Sequence, residues 1–150
     1  MAVNRGRDKE ALARSLGAHD YIDSEAGDPA QALQAMGGAK AIIATVTSAA
    51  AMQAISGGLG VNGTMMVIGA VGALTVDSLD LLGKRAAVQG WYSGTAADSE
   101  DTLRFSQRNA VASMNEIFPL EQAQAGRSAG LCMRPPQFER FEVVQDFTAS

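Results

Sequence analysis

Arg5, Arg7 and Lys9 place three cations at what reads as the end of a short strand and the start of a helix. So tight a cluster suits one phosphate better than an extended polyanion. Later apolar runs end at Thr45-Val46-Thr47, Ile68-Gly69-Ala70 and Trp91-Tyr92. The ends of parallel strands are where backbone groups open towards a ligand. A glycine there allows close approach, and a flat aromatic can wall off a planar group. The lone histidine, His19, lies in a helix-to-strand loop, and the lone thiol, Cys132, sits beside Met133 and Arg134 with no histidine near it in sequence. A nucleophilic role for Cys132 would lack its base, and one histidine plus one cysteine cannot build the usual Cys/His zinc site. No catalytic residue and no metal ligand is assigned.

The elements that must position these residues alternate between apolar runs and helical patterns, as in βα units laid on a parallel sheet. After a strand stub ending at Asn4, Asp8 to Leu16 puts Ala11, Leu12 and Leu16 on one helical face before Gly17. Tyr21-Ile22-Asp23 is a short strand. Asp28-Pro29 reads as an N-cap followed by proline at the first helical position, with Ala32, Leu33 and Met36 facing inward as far as Gly37-Gly38. Lys40 to Val46 is a continuous apolar run, expected to be a central strand covered on both faces. Ser48 caps a helix with Met52, Ile55 and Leu59, a turn follows at Asn62-Gly63, and Thr64 to Ile68 is the next buried strand. Leu74 to Val76 is extended, Ser78 to Leu82 a short helix, Ala86 to Trp91 a strand and Ser99 to Arg108 an amphipathic helix with Leu103 and Phe105. Asp98, Glu100 and Asp101 fit the first turn of that helix, where carboxylates complement the dipole. Asn115 to Phe118 reads as a strand, Pro119 as a helix start, and Phe138 to Phe147 as a last strand beyond the break at Arg134-Pro135-Pro136.

With 150 residues, 47% of them apolar, and a net charge of −4, the chain is sized for one domain, residues 1–150. The acidic balance and 5% aromatic content argue against a nucleic-acid surface. No apolar run is long enough to span a membrane and no signal-like stretch is present, so a cytoplasmic protein is expected.

Five segments, in order, carry a resemblance: Asn4 to Glu10, Leu16-Gly17-Ala18-His19-Asp20-Tyr21-Ile22-Asp23, Leu59-Gly60-Val61-Asn62-Gly63-Thr64, Ile68-Gly69-Ala70 and Gly90-Trp91-Tyr92-Ser93-Gly94-Thr95. Together they resemble the cofactor-binding half of zinc-dependent medium-chain alcohol dehydrogenases, from about residue 2 to 123, and Arg140 to Val144 echoes that family's last strand. Gln124 to Gln137 departs from the pattern. The resemblance implies an α/β fold, an incomplete Rossmann-like three-layer domain with a mostly parallel sheet lacking its first βα unit. The family's zinc ligands and its Gly-x-Gly-x-x-Gly pyrophosphate loop fall before the position matching Met1. They are expected to be absent here, zinc belonging only to a complete relative.

The resemblance also gives roles. Asn4 stands where an acidic residue would hold the adenosine 2′-hydroxyl and repel a 2′-phosphate. Being neutral, and flanked by Arg5, Arg7 and Lys9, it favours NADP over NAD. The alternative is that these cations are solvated residues of a helix start. Thr45 and Val46 would line the adenine and ribose side, Thr47 and Ser48 serving also as cap residues. Ile68, Gly69 and Ala70 would bring backbone to the nicotinamide amide, unless Gly69 only permits a turn. Trp91 and Tyr92 would stand against the nicotinamide ring, or Trp91 is a core or dimer-interface aromatic, since related enzymes pair through this edge strand.

In the usual strand order the first strand lies between the second and fourth. Without it, either the flanking strands are expected to pair directly, or two rows of unpaired backbone groups are open to another chain. Loss of the glycine turn removes the main anion grip, so cofactor binding is expected to be weak. Two readings remain. One is the coenzyme-binding part of an oxidoreductase that works with an upstream catalytic half and is inactive alone. The other is a non-enzymatic remnant or structural module that dimerises through its edge strand.

Overall fold

The computed structural model describes residues 1–112, 119 and 141–144. Met1–Trp91 with Phe138–Ser150 form one compact unit, and Tyr92–Gln137 a second. The first unit holds β1 (Ala2–Asn4), α1 (Glu10–Ser15), β2 (Tyr21–Asp23), α2 (Pro29–Ala35), β3 (Ala39–Ala44), α3 (Ala49–Ser56), β4 (Leu59–Val67), α4 (Ser78–Lys84) and β5 (Ala87–Gly90). The last described strand, β6 (Phe141–Val144), also belongs to it, while α5 (Ala96–Arg108) belongs to the second. The expectations at Asn115 to Phe118, in the helix after Pro119 and at Cys132 lie outside the described residues.

Local chemistry sets these elements. Asp28 Oδ1 accepts from the N–H of Ala30 at 2.8 Å, and Pro29 follows at a position where a helix needs no donor. Ser48 caps α3 through Ala51 N–H, and Asp77 caps α4 through Leu79 N–H. Leu33 from α2, Met52 and Ile55 from α3, Ile42 and Ala44 from β3, and Leu59 and Met65 from β4 are buried together with Val3 and Val46. This core lies where α2 and α3 pack on each other and on β4. In β3 both faces carry buried residues, Ala39 on one and Ile42 and Ala44 on the other, while Ala41 and Ile43 are half-buried and Lys40 is exposed. Covering of both faces is therefore only partial among the described residues.

Several expectations are adjusted. Leu59 is not in the helix: α3 stops at Ser56, and Leu59 opens β4 beside Ala39. The Asn62-Gly63 turn becomes an irregularity inside β4, where the pairing passes from Ala39↔Leu59 to Ala41↔Thr64 and Asn62 takes a φ of 58°. Such an insertion shifts the register while letting the two strands stay paired on either side of the extra residues. Met36 is exposed, because α2 ends there before Gly37 and Gly38 turn with positive φ. Leu12 and Leu16 share a face that stays largely open to solvent.

In the second unit α5 begins at Ala96, earlier than the apolar pattern indicates, because Thr95 and Asp98 form a reciprocal cap. Thr95 N–H and hydroxyl donate to Asp98 Oδ2 at 2.6 and 2.8 Å, and Asp98 N–H donates to Thr95 Oγ1. Glu100 and Asp101 both pair with Arg104. The acidic cluster is thus consumed in capping and surface ion pairs. Leu103 and Phe105 are exposed on this helix.

The six described strands form one sheet in the order β2-β1-β6-β3-β4-β5. Every pairing is parallel except those of β6, which runs antiparallel to both β1 and β3. Neither expected outcome at the centre is realised. β1 and β3, the strands that would flank the missing one, do not pair directly, and the slot between them is filled by β6.

Candidate functional site

Register carries the geometry of the site. Val3 and Ala44 both pair with Phe141, Ala44 pairs with Val67, and Val67 pairs with Gly90. One residue further along each parallel strand stand Asn4, Thr45, Ile68 and Trp91. Four positions singled out from the sequence therefore form one row across the carboxyl edge of the sheet. This is the edge at which open α/β sheets bind ligands.

At one end of the row, the chain turns from β1 into α1. Asn4 is only 7% exposed, and its Oδ1 accepts from Arg5 N–H at 2.9 Å. Gly6 takes a φ of +66°, a conformation that favours glycine. Its N–H donates to Asp23 Oδ1 at 2.8 Å, and its carbonyl accepts from the Tyr21 hydroxyl at 2.7 Å. Asp23 Oδ1 also accepts from Glu25 N–H, and Ser24 N–H donates to Asn4 O. Arg5 and Arg7 are exposed on this fixed turn, and Lys9, half-buried, is the cap residue of α1. Burial, followed by the carboxylates of Asp23, Glu10 and Asp8, holds the Tyr21 phenol above its usual range, so it remains a donor.

In the middle of the row, Thr45 is exposed, while Val46 is wholly buried, its carbonyl packed against Gly69, so that it offers a ligand neither side chain nor backbone and the expected contact from Val46 is corrected. Ile68 and Gly69 N–H both donate to Ala44 O at 3.0 Å. A Cβ on Gly69 would overlap the Val46 carbonyl oxygen and stand 2.8 Å from its carbon. Glycine is needed here because two strand ends converge, a reason that neither the turn nor the ligand reading contained. Ala70 beside it is exposed. At the far end, Trp91 N–H donates to Val67 O, and its side chain is 48% exposed, so it is not a core aromatic. Tyr92, the first residue of the second unit, is 99% exposed.

Among the described residues no three His, Cys, Asp or Glu side chains come together as a metal site. His19 is exposed, and its carbonyl accepts from Arg14 Nη1. The described residues do not fit zinc. The Gly-x-Gly-x-x-Gly spacing does occur, at Gly58-Leu59-Gly60-Val61-Asn62-Gly63, but it runs from the end of α3 into β4. A phosphate loop needs the opposite order, strand then helix, so that helix N–H groups meet the anion. Side chains at Gly58 and Gly63 would collide with Leu33 and with the carbonyl of Ala39, which explains these glycines by packing. At the centre of the carboxyl edge stands the first residue of antiparallel β6, so β6 cannot lead from that edge into a helix.

The family described as zinc-binding dehydrogenase matches residues 1–108. The chain is 43% identical over 124 residues to the alcohol dehydrogenase notN of Aspergillus sp. (strain MF297-2), covering 83% of this chain and 37% of that protein. It is 37% identical over 129 residues to the alcohol dehydrogenase patD of Penicillium expansum, covering 86% of this chain and 38% of that protein. The chain thus spans less than two fifths of the length of these relatives. Benzyl alcohol dehydrogenase from Acinetobacter calcoaceticus shares the fold at a TM-score of 0.70 and 22% identity, over 85% of this chain and 38% of its own. Quinone oxidoreductase from Thermus thermophilus, solved also with NADPH, does so at 0.64 and 23%, over 87% of this chain and 44% of its own. With its mostly parallel α/β sheet and a family match over residues 1–108, the chain belongs to the zinc-binding dehydrogenase family, in the NAD(P)-binding portion.

Proposed function

We propose that this chain is the coenzyme-binding part of an alcohol dehydrogenase-like oxidoreductase, that it prefers NADP to NAD, and that it depends on an upstream segment for zinc and substrate. The row Asn4, Thr45, Ile68, Trp91 carries the proposal, because it lines up the strand ends on which such a coenzyme would lie. When bound, the coenzyme supplies hydride exchange at nicotinamide C4 with an alcohol or aldehyde. Arg5 and Arg7, with Lys9 behind them, would give a 2′-phosphate charge-assisted hydrogen bonds. Thr45, next to the buried Val46, would take the adenosine side, and Ile68, Gly69 and Ala70 would offer backbone to the carboxamide. Trp91 would exclude water from one ring face, and Tyr92 is carried with it on the family resemblance alone.

Binding is expected to be weak in this chain, since β6 supplies no helix N-terminus at the pyrophosphate position. Calorimetry with NADPH and NADH tests the proposal: detectable NADPH binding, tighter than NADH, is expected. No binding of either at millimolar concentration would defeat it. The isolated chain is expected to show no zinc-dependent alcohol oxidation. A cytoplasmic location is part of this reading and is checked by cell fractionation.

A second reading is favoured by β6 itself. A sheet whose centre is closed by the chain's own strand can serve as a structural module without a coenzyme, dimerising through β5 at the sheet edge. A concentration-dependent dimer in sedimentation, together with no nucleotide binding, would select it.

A further inference from the structure

We infer that Tyr21 and Asp23 of β2 are positioning residues that clamp the Gly6 peptide groups and so aim Arg5 and Arg7, setting the preference for a 2′-phosphate over a 2′-hydroxyl. The inference rests on the coenzyme reading above. The two side chains are two residues apart on one strand and so share a face of the sheet. Pairing of Ala2 with Tyr21 and of Asn4 with Asp23 places them beside the end of β1. From there one donates to the Gly6 carbonyl at 2.7 Å and the other accepts from the Gly6 N–H at 2.8 Å. Gly6 lies between the two arginines and is the residue with positive φ in this turn. A glycine has the widest choice of backbone angles, so fixing both of its polar groups is what gives Arg5 and Arg7 defined directions.

The clamp also occupies the Asp23 carboxylate. Its Oδ1 accepts two backbone N–H groups, from Gly6 and Glu25, and so anchors the loop instead of facing a ligand as a free acid. Charge alone and positioning therefore predict opposite signs. Removing a carboxylate beside a phosphate site raises phosphate affinity if charge is all that matters. Removing an anchor lowers it.

The test uses the full chain and two small probes that do not need a pyrophosphate grip, 2′,5′-ADP and 5′-AMP, titrated by NMR. The wild-type chain is expected to prefer 2′,5′-ADP. Tyr21→Phe and Asp23→Ala are each expected to lower that preference about fivefold, the worth of one net hydrogen bond, with 5′-AMP affinity unchanged. Asp23→Asn, which keeps an acceptor oxygen in place, is expected to retain the preference. An unchanged or increased preference in both Tyr21→Phe and Asp23→Ala overturns the clamp and leaves the phosphate reading intact. Equal losses for both probes, with a lowered melting temperature, would make the pair merely structural and overturn it as well. If the wild-type chain shows no preference for 2′,5′-ADP, the underlying coenzyme reading fails and the clamp with it.

Discussion

Val3 of β1 and Ala44 of β3 pair with the same residue, Phe141, from opposite sides. The β1–β2 pair is therefore joined to the remainder of the sheet through β6 alone, because no other described strand bridges the two halves. β6 also decides what the carboxyl edge can do. It satisfies backbone groups that would otherwise stand open, yet it runs in the direction that cannot deliver a phosphate loop.

Breaking β6 should consequently uncouple the two halves. Val143 pairs with Ile42 in β3. Val143→Pro removes a ladder donor in an interior strand, where proline is not tolerated. A loss of about 1–3 kcal/mol in urea unfolding is expected, with faster amide exchange at Val3 and Ile42 and little change between β4 and β5. Uniform exchange across all strands would count against β6 as the joint.

Gly69→Ala tests the convergence of β3 and β4. The added methyl meets the Val46 carbonyl, a backbone group that cannot rotate aside. Overpacking of this kind costs about 1–3 kcal/mol. The displacement should fall on Thr45 and Ile68, weakening nucleotide binding together with stability. A neutral Gly69→Ala variant would show that the strand ends are looser than their geometry.

The parts of this fold legible in the sequence are those governed by neighbours in the chain. Asp28-Pro29, Ser48 and Gly37-Gly38 declare helix ends through short-range hydrogen bonds and backbone angles, and each stands where expected. The strand ends at Asn4, Thr45, Ile68 and Trp91 were legible for the same reason, as places where an apolar run stops. Partnerships across the sheet were not. The direction and slot of β6 depend on which distant strands have open edges, information that Phe141 to Val144 do not carry themselves. The Tyr21 and Asp23 contacts to Gly6 were hidden likewise, since they join residues 15 and 17 positions apart. One signal was available: a tyrosine and an aspartate alternating on a short strand are polar groups sharing one face, and such groups need partners.

Two ionisations give pH dependence of opposite sign in the two units. Tyr21 has a raised pKa, so its contribution to stability is fully present below about pH 10 and is lost as pH rises through the folded value. Hydrogen bonds from the Thr95 backbone and side chain hold Asp98 below the usual carboxylate range. Its contribution is present above about pH 4 and lost as pH falls through the folded value. Acid should therefore fray α5 from its N-terminus, and alkali should loosen the β1–α1 turn. Amide exchange at Asp98 and at Gly6, followed against pH, checks both, and a response of the same sign at the two sites would refute the assignment.

Arg5 and Arg7 supply the last prediction. Both are exposed, so their attraction for a 2′-phosphate is screened and depends on salt. Charge-assisted hydrogen bonds to such a group contribute about 1.5–3 kcal/mol each, the lower end applying to exposed side chains. Replacing both by alanine should weaken NADPH binding by at least about tenfold by that measure, leave NADH binding unchanged, and abolish most of the salt dependence of the NADPH affinity. Because Tyr21 and Asp23 hold Gly6 by its own peptide groups, the turn should keep its shape in the double variant. An equal loss for NADPH and NADH, with salt dependence retained, would mean that the arginines support the turn and do not meet the phosphate.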